Sequence, residues 1–350
     1  MIDILKGTSA SVGYINGLIV EALPATTIDQ KPTNLMAEGV SQTAILVSWQ
    51  DNAYEESGYE IYRSVTGETG PFTLIHTTDE DITSYTETGL SGGTEYTYKV
   101  RAKLGGSEYT DYSNVYSAAT MAFAVHVNIN GDPTYNAPSP WNNIGFLPDN
   151  GMIVSNLKDG NNNNTGISLN FVTSLGGEND WGTTTGNNSG VYPDKVLKSF
   201  FFMESLEEAE VFIEGLDQSY IYNFRFLGAI ETGYTISTKF TINNETVVNW
   251  QTNNTSSVSS IIGVEPDIDN KVALHITSGS GSRWSIWNSL VIEAYPNLNS
   301  GARVTDEDSD IHSELTIYPN PFSNKLDIKV NANESGEATF SLLDMQGKLL

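Results

Sequence analysis

Cysteine is absent from this 350-residue sequence, and basic residues are scarce. The absence of cysteine excludes a disulfide framework, a thiolate metal site and a cysteine nucleophile. Only 17 lysines and arginines oppose 43 aspartates and glutamates, so the formal net charge is −26 at pH 7. Such a charge repels phosphate groups, whereas nucleic-acid binding requires clustered basic side chains that release counterions. We therefore expect neither nucleic acid nor an anionic membrane as a partner.

Long apolar runs and histidines are scarce as well. No apolar run approaches the roughly 20 residues that a membrane-spanning helix requires. Residues 1–6 lack the basic start and apolar core of a signal peptide, so we expect any export signal to lie upstream. The four histidines belong to no zincin motif, and no Gly-x-Ser-x-Gly elbow occurs. The sequence therefore predicts no membrane span, no catalytic residue and no enzyme activity in these residues.

The apolar content is nevertheless sufficient for folded domains. Hydrophobic residues make up 39% of the sequence and aromatic residues 10%, and a chain of this length is expected to contain two or three domains. Short segments rich in β-branched and aromatic residues alternate with turns rich in Gly, Asn and Asp. This pattern is typical of β-sandwiches. The predicted fold class is all-β, with β-sandwiches in tandem.

An internal repeat occurs near the N-terminus and again about four fifths of the way along the chain. Segments 14–24 and 286–296 align without a gap. The identical pairs are Asn16 and Asn288, Leu18 and Leu290, Glu21 and Glu293, Ala22 and Ala294, and Pro24 and Pro296. The composition predicts a β-strand that ends at the proline, which cannot continue a hydrogen-bonded ladder. We therefore expect residues 1–24 to be the C-terminal remnant of a preceding repeat of the module that ends at 296, followed by a linker at 25–30.

Residues 31–121 contain short alternating strands with a characteristic set of aromatic residues. Trp49 ends one strand, and the segment Leu90–Tyr96 leads into another. This block resembles a fibronectin type III domain, with Leu90–Tyr96 similar to the tyrosine corner of that family and Trp49 similar to its core tryptophan. The resemblance implies a β-sandwich. Because no Arg-Gly-Asp sequence occurs, integrin binding has no support, and we expect the block to be a spacer.

Residues 122–296 form a larger block, called the large module below. Segments 123–129, 197–202, 222–227 and 289–293 are predicted strands, separated by turns dense in Gly, Asn and Asp. We expect a two-sheet sandwich of jelly-roll type with almost no helix. The opening Val-Asn-Ile strand, the Pro-Trp-Asn-Asn turn at 140–143 and the segment 187–193 resemble the galactose-binding-like sandwiches that accompany secreted bacterial enzymes.

The last part of the chain contains an acidic segment and two motifs. Residues 297–313 have little to bury and are predicted to be a solvated acidic linker. Ile-Tyr-Pro-Asn-Pro-Phe at 317–322 and Leu-Asp-Met-Gln-Gly-Lys at 343–348 follow it. They resemble the first half of the C-terminal sorting domain of type IX secretion in Bacteroidetes. The resemblance implies a truncated copy of that domain at 314–350, a secreted or outer-surface location, and the type IX secretion machinery as a partner.

Aromatic side chains in polar turns are the clearest functional signal. Their rings could stack on the C–H face of a sugar while neighbouring amides and carboxylates bind its hydroxyls. The carbohydrate-binding candidates are Trp141, Asn142, Asn143, Trp181, Asn187, Asn188 and Tyr192. In the alternative interpretation, turn tryptophans cap the open end of a sandwich. Trp250, Trp284 and Trp287 lie nearer to predicted strands, and we interpret them as packing residues.

Two turns have oxygen ligands at alternate positions, which is the donor type that calcium prefers. The metal candidates are Asn130 and Asp132 in one turn and Asp267 and Asp269 in the other. The alternative is that these residues serve the turns themselves, because Asn and Asp tolerate left-handed backbone angles. Apart from structural calcium, no cofactor is expected.

Together these features predict a non-catalytic fragment of a secreted or cell-surface multidomain protein. In this interpretation the large module binds a polysaccharide or glycoconjugate, and the preceding block is a spacer. One alternative is an accessory region of an extracellular glycan-degrading enzyme whose catalytic domain lies upstream. The other is a surface adhesin that binds protein.

Overall fold

The computed structural model describes residues 30–204, 207–298, 314–318 and 327–331. The predicted remnant at 1–24, with the first repeat copy, and most of both linkers lie outside the described residues. Almost all regular structure is β-strand, which confirms the predicted all-β class. No helix in the described part of the chain has the length and hydropathy that crossing a bilayer requires.

Residues 30–121 fold into a sandwich of two antiparallel sheets. Its strands are β1 (Thr33–Ser41), β2 (Ala44–Gln50), β3 (Tyr59–Ser64), β4 (Thr73–Thr77), β5 (Ser84–Thr88), β6 (Glu95–Ala102) and β7 (Tyr116–Ala119). One sheet has the order β1-β2-β5 and the other the order β4-β3-β6-β7. Alternation along β6 places Tyr96, Tyr98 and Val100 in the core between the sheets.

The core of this sandwich contains the aromatic residues that the sequence singled out. The Trp49 side chain is buried, and its ring centroid lies 5.3 Å from that of Tyr59. The Tyr96 hydroxyl accepts a hydrogen bond of 3.0 Å from the backbone N–H of Ser91. A bond from a tyrosine hydroxyl to the backbone a few residues upstream is the predicted tyrosine corner. It ties the β5–β6 turn to the strand that follows.

The large module is a second, larger β-sandwich with one short helix. Its strands are β8 (Phe123–Asn128), β9 (Trp141–Asn143), β10 (Met152–Val154), β11 (Ser168–Phe171), β12 (Gly177–Asn179), β13 (Phe200–Glu204), β14 (Glu208–Glu214), β15 (Tyr220–Leu227), β16 (Ser237–Ile242), β17 (Glu245–Trp250), β18 (Ser259–Val264), β19 (Lys271–Ser278), β20 (Trp284–Trp287) and β21 (Ser289–Pro296). Helix α1 comprises Asp194–Lys198. The sheets have the orders β10-β11-β14-β19-β16-β17, β18-β15-β21-β8-β9 and β12-β13-β20.

The main core of the large module lies between the six-stranded and five-stranded sheets. Phe226 of β15 stacks on Phe240 of β16 with ring centroids 4.4 Å apart. Alternation along β8 directs Val125 and Val127 into this core and leaves His126 on the other face. The five-stranded sheet therefore has an outer face whose residues are not part of the main core.

That outer face carries charged residues and is covered in part by α1. Register places His126 of β8 opposite Val291 of β21, and Val291 opposite Arg225 of β15. Glu293 lies two residues further along β21 and shares the face. Val196 of α1 packs against Val291 in a small apolar cluster. The helix therefore sits on this face of the sheet.

The second repeat copy forms the end of β20 and the whole of β21, so residues 289–296 form a strand as predicted, but the single strand expected over 286–296 is divided at Asn288. Asn288, between the two strands, is fully buried. Its side-chain amide donates to the carbonyls of Leu197 (2.9 Å) and Ser199 (3.0 Å), and its Oδ1 accepts from the Ala229 N–H (2.7 Å). This asparagine therefore holds the end of α1 against the sheet, which is a physical reason for an asparagine at that position of the repeat.

A second tyrosine corner precedes β15. The Tyr222 hydroxyl accepts a hydrogen bond of 2.8 Å from the backbone N–H of Asp217, and the tyrosine is buried. Buried Leu216 stands six positions before Tyr222, just as buried Leu90 stands six positions before Tyr96. The same leucine–tyrosine spacing is therefore visible in the sequence of both sandwiches.

The connection between the two sandwiches is short and hydrogen-bonded on both sides. The Met121 N–H donates to the Ser41 carbonyl at 3.1 Å, and the Ala122 N–H donates to the Ala294 carbonyl at 2.8 Å. The Gln42 side chain donates to the Ala122 carbonyl at 2.9 Å. Residues 121 and 122 are therefore held by strands of both sandwiches.

Beyond the large module, the described residues form two antiparallel strands, β22 (Glu314–Tyr318) and β23 (Asp327–Asn331). Ile317 lies opposite Ile328 in this pair. Strand β22 contains the first two residues of the Ile-Tyr-Pro-Asn-Pro-Phe motif. The rest of that motif and the segment 343–348 lie outside the described residues.

Candidate functional site

Two of the carbohydrate-binding candidates, Trp141 and Tyr192, are brought together on the outer face of the five-stranded sheet. Trp141 is only 9% exposed. Its ring centroid lies 5.3 Å from that of His126 and 5.0 Å from that of Tyr192, both with T-shaped geometry. It also packs with Val196 and Val291. Side chains of the module itself therefore surround this ring, which fits the alternative interpretation of a turn tryptophan that caps the sandwich. Carbohydrate binding by Trp141 stays a prediction.

Asn142 and Asn143 are bound by the backbone of the module. The Asn142 side-chain amide donates to the carbonyls of His126 (3.0 Å) and Lys158 (2.8 Å), and its Oδ1 accepts from the Lys158 N–H (2.8 Å). The Asn143 Oδ1 accepts from the Ala137 N–H at 2.7 Å. These amides hold neighbouring loops together, which is the structural alternative to sugar binding.

The loop before α1 is organised around the carboxylate of Asp194. It accepts hydrogen bonds from the backbone N–H (2.8 Å) and the hydroxyl (2.7 Å) of Thr185, while Asn188 Oδ1 accepts from the Asp194 N–H (2.9 Å). Burial opposes ionisation of Asp194, but the hydrogen bonds from Thr185 outweigh it and hold the pKa of Asp194 below its usual range. Asn187 Oδ1 accepts from the Ser189 N–H at 3.1 Å. Both asparagines therefore shape this loop.

Trp181 differs from Trp141 because its side chain is 67% exposed. Its backbone N–H donates to Asn179 Oδ1 at 2.9 Å, and its carbonyl accepts from the Glu231 N–H at 2.8 Å. The backbone is therefore anchored on both sides while the indole remains open to solvent. A backbone that is already ordered in this way lowers the entropy lost when the segment holds a ligand.

Three carboxylates form an acidic rim next to Trp181, namely those of Asp132, Glu178 and Asp180. The Tyr135 hydroxyl donates to Asp180 Oδ2 at 2.6 Å. Burial, followed by the charges of Asp132 and Asp180, raises the pKa of Glu178. The acidic rim offers strong hydrogen-bond acceptors beside an exposed indole, which is the combination that sugar hydroxyls and C–H faces require.

Two further exposed aromatic side chains lie near the loop 229–236. Tyr234 is 71% exposed and Trp250 is 60% exposed. The Thr252 hydroxyl donates to the Tyr234 carbonyl at 2.7 Å, close to the end of β17 where Trp250 stands. The same loop hydrogen-bonds the backbone of Trp181. Trp181, Tyr234 and Trp250 are called the exposed aromatic set below.

The packing role predicted for three other tryptophans holds for two of them. Trp287 is fully buried, and its indole N–H donates to the Ser289 carbonyl at 3.0 Å. Trp284 is half-buried and packs against a small apolar cluster. For Trp250 the prediction was wrong, because Val248 and Trp250 are both exposed on the outer face of the edge strand β17. The period-two alternation of side chains along β17 indicates this exposure.

The oxygen-rich turns of the calcium hypothesis are closed by internal hydrogen bonds. Asn130 is fully buried, and its amide donates to the Asp132 carbonyl at 2.9 Å. Asp267 Oδ1 accepts from the N–H groups of Asp269 (2.9 Å) and Lys271 (3.0 Å). These contacts fit the alternative in which Asn and Asp stabilise turns. Calcium binding at these two turns stays a prediction.

A partly buried ion pair lies near Trp141 on the outer face. Glu293 is 8% exposed, and its Oε1 accepts from Arg225 Nε at 2.7 Å. Burial lowers the pKa of His126 against the opposing effect of the Glu293 charge. Burial also raises the pKa of Tyr192 to about 12. Protein side chains therefore fill this face, and the exposed aromatic set is the more accessible site.

Two protein-family models match the chain. The fibronectin type III domain matches residues 30–118, and the secretion system C-terminal sorting domain matches residues 316–350. Both matches confirm the resemblances found in the sequence at 31–121 and 314–350. The resemblance of the large module to galactose-binding-like sandwiches stays a prediction.

The chain is also similar to parts of three characterised proteins. It is 33% identical over 141 residues to an alpha-amylase of Niallia circulans, covering 38% of this chain and 10% of that protein. It is 31% identical over 118 residues to an amylopullulanase of Thermoanaerobacter thermohydrosulfuricus, covering 33% and 8%. It is 33% identical over 111 residues to exoglucanase B of Cellulomonas fimi, covering 30% and 8%. The chain therefore spans about a tenth of the length of these relatives.

Among solved structures, an Fn3-like protein from Clostridium thermocellum is 30% identical over 27% of this chain and 95% of its own, with a TM-score of 0.24. A beta-1,2-glucanase from Parabacteroides distasonis is 24% identical over 28% of this chain and 14% of its own, also with a TM-score of 0.24. Both similarities extend over little more than a quarter of the chain.

Proposed function

We propose, from the premise that residues 30–118 are a fibronectin type III domain and residues 316–350 a secretion sorting domain, that this secreted or cell-surface chain binds carbohydrate. The large module is the binding unit, and the fibronectin domain is a spacer beside it. The type IX secretion machinery exports the protein. Neither sandwich catalyses a reaction in this proposal.

The observation that carries the proposal is the exposed indole of Trp181. A side chain of this size costs free energy when it remains in water, and 67% of it does. Stacking on the C–H face of a pyranose ring would bury it without disturbing the core. The acidic rim beside it supplies acceptors for the hydroxyls at the edge of the same sugar ring. Tyr234 and Trp250 are further exposed aromatic residues near the loop that is hydrogen-bonded to the backbone of Trp181, and in this proposal they contact additional sugars.

The charge of the chain narrows the class of glycan. A formal net charge of −26 repels polyanions, as it repels nucleic acid. The acidic rim adds negative charge at the binding surface itself. We therefore expect a neutral polysaccharide rather than a uronic-acid polymer.

The similar proteins support an accessory role. An alpha-amylase, an amylopullulanase and an exoglucanase each share only about a tenth of their length with this chain. Their names point to neutral glucans, both α- and β-linked. A non-catalytic region that holds such a polymer near a catalytic domain fits this partial similarity.

Affinity electrophoresis tests the proposal with gels that contain soluble starch, a cellulose derivative or a mixed-linkage β-glucan. The unmodified chain should be retarded by at least one of these neutral polymers. Trp181→Ala should weaken binding about tenfold, equivalent to roughly 1.4 kcal/mol, as loss of an aromatic anchor does. Tyr54→Ala is the matched control, because Tyr54 is 65% exposed but lies in the fibronectin domain.

The same gels can contradict the proposal. Unretarded migration of the unmodified chain across neutral and acidic glycans would remove carbohydrate binding and favour a protein-binding adhesin. Retardation that Tyr54→Ala abolishes as strongly as Trp181→Ala would move the site to the fibronectin domain.

A further inference from the structure

Three carboxylates converge at one end of the fibronectin domain, far in sequence from the exposed aromatic set. Asp51 and Glu56 lie in the β2–β3 loop, and Asp81 lies in the β4–β5 loop. One oxygen from each carboxylate lies within 4.8 Å of the other two. Glu56 is only 7% exposed. A buried glutamate between two other acids is costly unless a positive charge balances it.

The backbone holds the two loops together at this point. Gly58 has a φ of +133°, and a Cβ at that position would lie 1.9 Å from the Thr78 carbonyl oxygen. Only glycine permits this approach. The Asp81 N–H then donates to Glu56 Oε1 at 3.2 Å across the two loops. The backbones of the two loops are therefore held together at the cluster by the fold.

The Tyr59 hydroxyl is a second, independent observation at the cluster. The tyrosine is fully buried, and its hydroxyl makes no hydrogen bond of normal geometry with any described residue. Burial, followed by a polar interaction with the Asp51 side chain and the charges of Asp51, Glu56 and Asp81, raises the pKa of Tyr59. The hydroxyl therefore faces the carboxylates, with Asp51 as its neighbour. A buried hydroxyl without a partner is rare in native proteins unless water or an ion satisfies it.

We propose that Asp51, Glu56 and Asp81 form a binding site for a hard divalent cation of the calcium type. Three carboxylates give the oxygen-only, negatively charged ligand set that calcium prefers, and water can complete its flexible coordination of six to eight ligands. The Tyr59 hydroxyl could then hydrogen-bond such a water. Bound cation would cancel the mutual repulsion of the acids and join the β2–β3 loop to the β4–β5 loop. The fibronectin domain would thus be a cation-stabilised spacer.

The affinity expected for this site is modest. Extracellular calcium modules with partly exposed ligands have dissociation constants of about 10⁻⁴ to 10⁻³ M. Asp81 is exposed, so the site is open on one side. Magnesium should compete weakly, because it demands near-ideal octahedral geometry and keeps its waters.

Terbium luminescence on the full chain tests the site directly. Terbium replaces calcium, and its emission is sensitised by a nearby tyrosine or tryptophan. Tyr59 borders the cluster, and the Trp49 ring lies 5.3 Å from the Tyr59 ring. We expect saturable emission that calcium displaces and magnesium does not. Asp51→Asn and Asp81→Asn should each weaken terbium binding about tenfold or more, since ligand charge sets affinity.

Matched controls separate this site from non-specific binding to an acidic protein. Asp79→Asn and Glu80→Gln remove exposed acids from the same loop as Asp81, and both variants should bind terbium as the unmodified chain does. In thermal melts, calcium should raise the melting temperature of the fibronectin domain in the control variants but not in Asp51→Asn or Asp81→Asn.

Two outcomes would overturn the proposal. One is emission that millimolar calcium cannot displace. The other is an equal loss of terbium affinity in the control variants. Circular dichroism of Asp81→Asn guards against a folding artefact, because Asp81 is exposed and its replacement should leave the sandwich intact. The result is independent of carbohydrate binding, which is measured on the other sandwich.

Discussion

Two tryptophans in similar polar turns have opposite environments because of the elements that lie beside each ring. Trp141 starts β9, which pairs in parallel with β8, so its ring lies against His126. Trp181 follows the short strand β12, and 67% of its side chain is exposed. Both have Asn or Asp neighbours in the sequence. The pairing of β8 with β9 and the position of α1 decide which ring is free, and both depend on contacts distant in sequence.

Replacing Trp141 measures how much this packing contributes to stability. Trp141→Ala should destabilise the large module by about 3 to 5 kcal/mol, as loss of a large buried aromatic does. Denaturant unfolding of the full chain, monitored through a signal from the large module, measures this loss of stability. Trp181→Ala is the control and should change stability by less than about 0.5 kcal/mol, since exposed substitutions rarely do more.

Equal midpoints for Trp141→Ala and the unmodified chain would mean that the ring is dispensable to the fold. Trp141 would then return to the carbohydrate-binding candidates alongside Trp181. The same distinction between buried and exposed rings applies to the other aromatic residues of the candidate site. Trp181 was identifiable from its polar turn, whereas Trp250 was missed because strand proximity was taken as a sign of burial. Tyr234 was not singled out in the sequence.

The turns that lead into central strands of both sandwiches contain the same tyrosine-corner hydrogen bond. Tyr96 on β6 and Tyr222 on β15 each accept a hydrogen bond from the backbone N–H five residues upstream. A leucine six residues before each tyrosine is buried under the turn. The first corner was predicted through the fibronectin resemblance, and the second was not, although its spacing is the same. The leucine–tyrosine spacing in the sequence therefore indicates this turn geometry, whichever family the domain belongs to.

Removing the Tyr96 hydroxyl should cost about 1 kcal/mol, because one hydrogen bond is lost and the apolar contact is kept. Removing the Tyr222 hydroxyl should cost about 1 to 2 kcal/mol, because that hydroxyl also donates to the Asp217 carbonyl at 3.2 Å. Tyr96→Phe should lower the unfolding midpoint of the fibronectin domain, and Tyr222→Phe that of the large module. Tyr116→Phe is the control at an exposed position. Denaturant unfolding with separate probes for the two sandwiches measures the three variants. An unchanged unfolding midpoint for Tyr222→Phe would show that the hydrogen bonding of the second corner does not contribute to stability.

Helix α1 marks the limit of element prediction from this sequence. Segment 197–202 was predicted as one strand, but Leu197 and Lys198 end the helix and β13 begins at Phe200. The start signals were present, since Pro193 precedes the helix and Asp194 stands in its first turn. Five residues are too few for a helical period to show. Asn288, nearly a hundred residues away, holds the end of the helix.

The whole molecule combines β-sandwiches whose class was readable from the sequence with an arrangement that was not. Alternating apolar residues predicted the strands, and charge and composition predicted the exclusion of nucleic acid as a partner. Strand order in the large module depends on non-local pairings, such as β14 with β19 and β15 with β21. The cation site likewise joins two loops about 25 residues apart, brought together by Gly58, and no local pattern reveals it.

The connection at 121 and 122 determines how the two sandwiches behave as one body. Met121 bonds to Ser41 in the fibronectin domain, and Ala122 bonds to Ala294 in the large module. Because adjacent residues are hydrogen-bonded to different domains, no flexible linker separates the two domains. If the fibronectin domain is a spacer, this rigidity determines the position of the glycan-binding surface. This rigidity comes from the connection at residues 121 and 122 and not from the interior of either sandwich.

Inserting Gly-Ser-Gly-Ser between Met121 and Ala122 should therefore free the two sandwiches, because one strand end can no longer satisfy both sets of bonds. Small-angle X-ray scattering should show a larger radius of gyration and a broader distance distribution, while circular dichroism remains unchanged. The same insertion between Gly105 and Gly106, in an open turn of the fibronectin domain, is the control. Scattering profiles that coincide for both insertions would mean that residues 121 and 122 do not set the arrangement, and that other contacts between the sandwiches do.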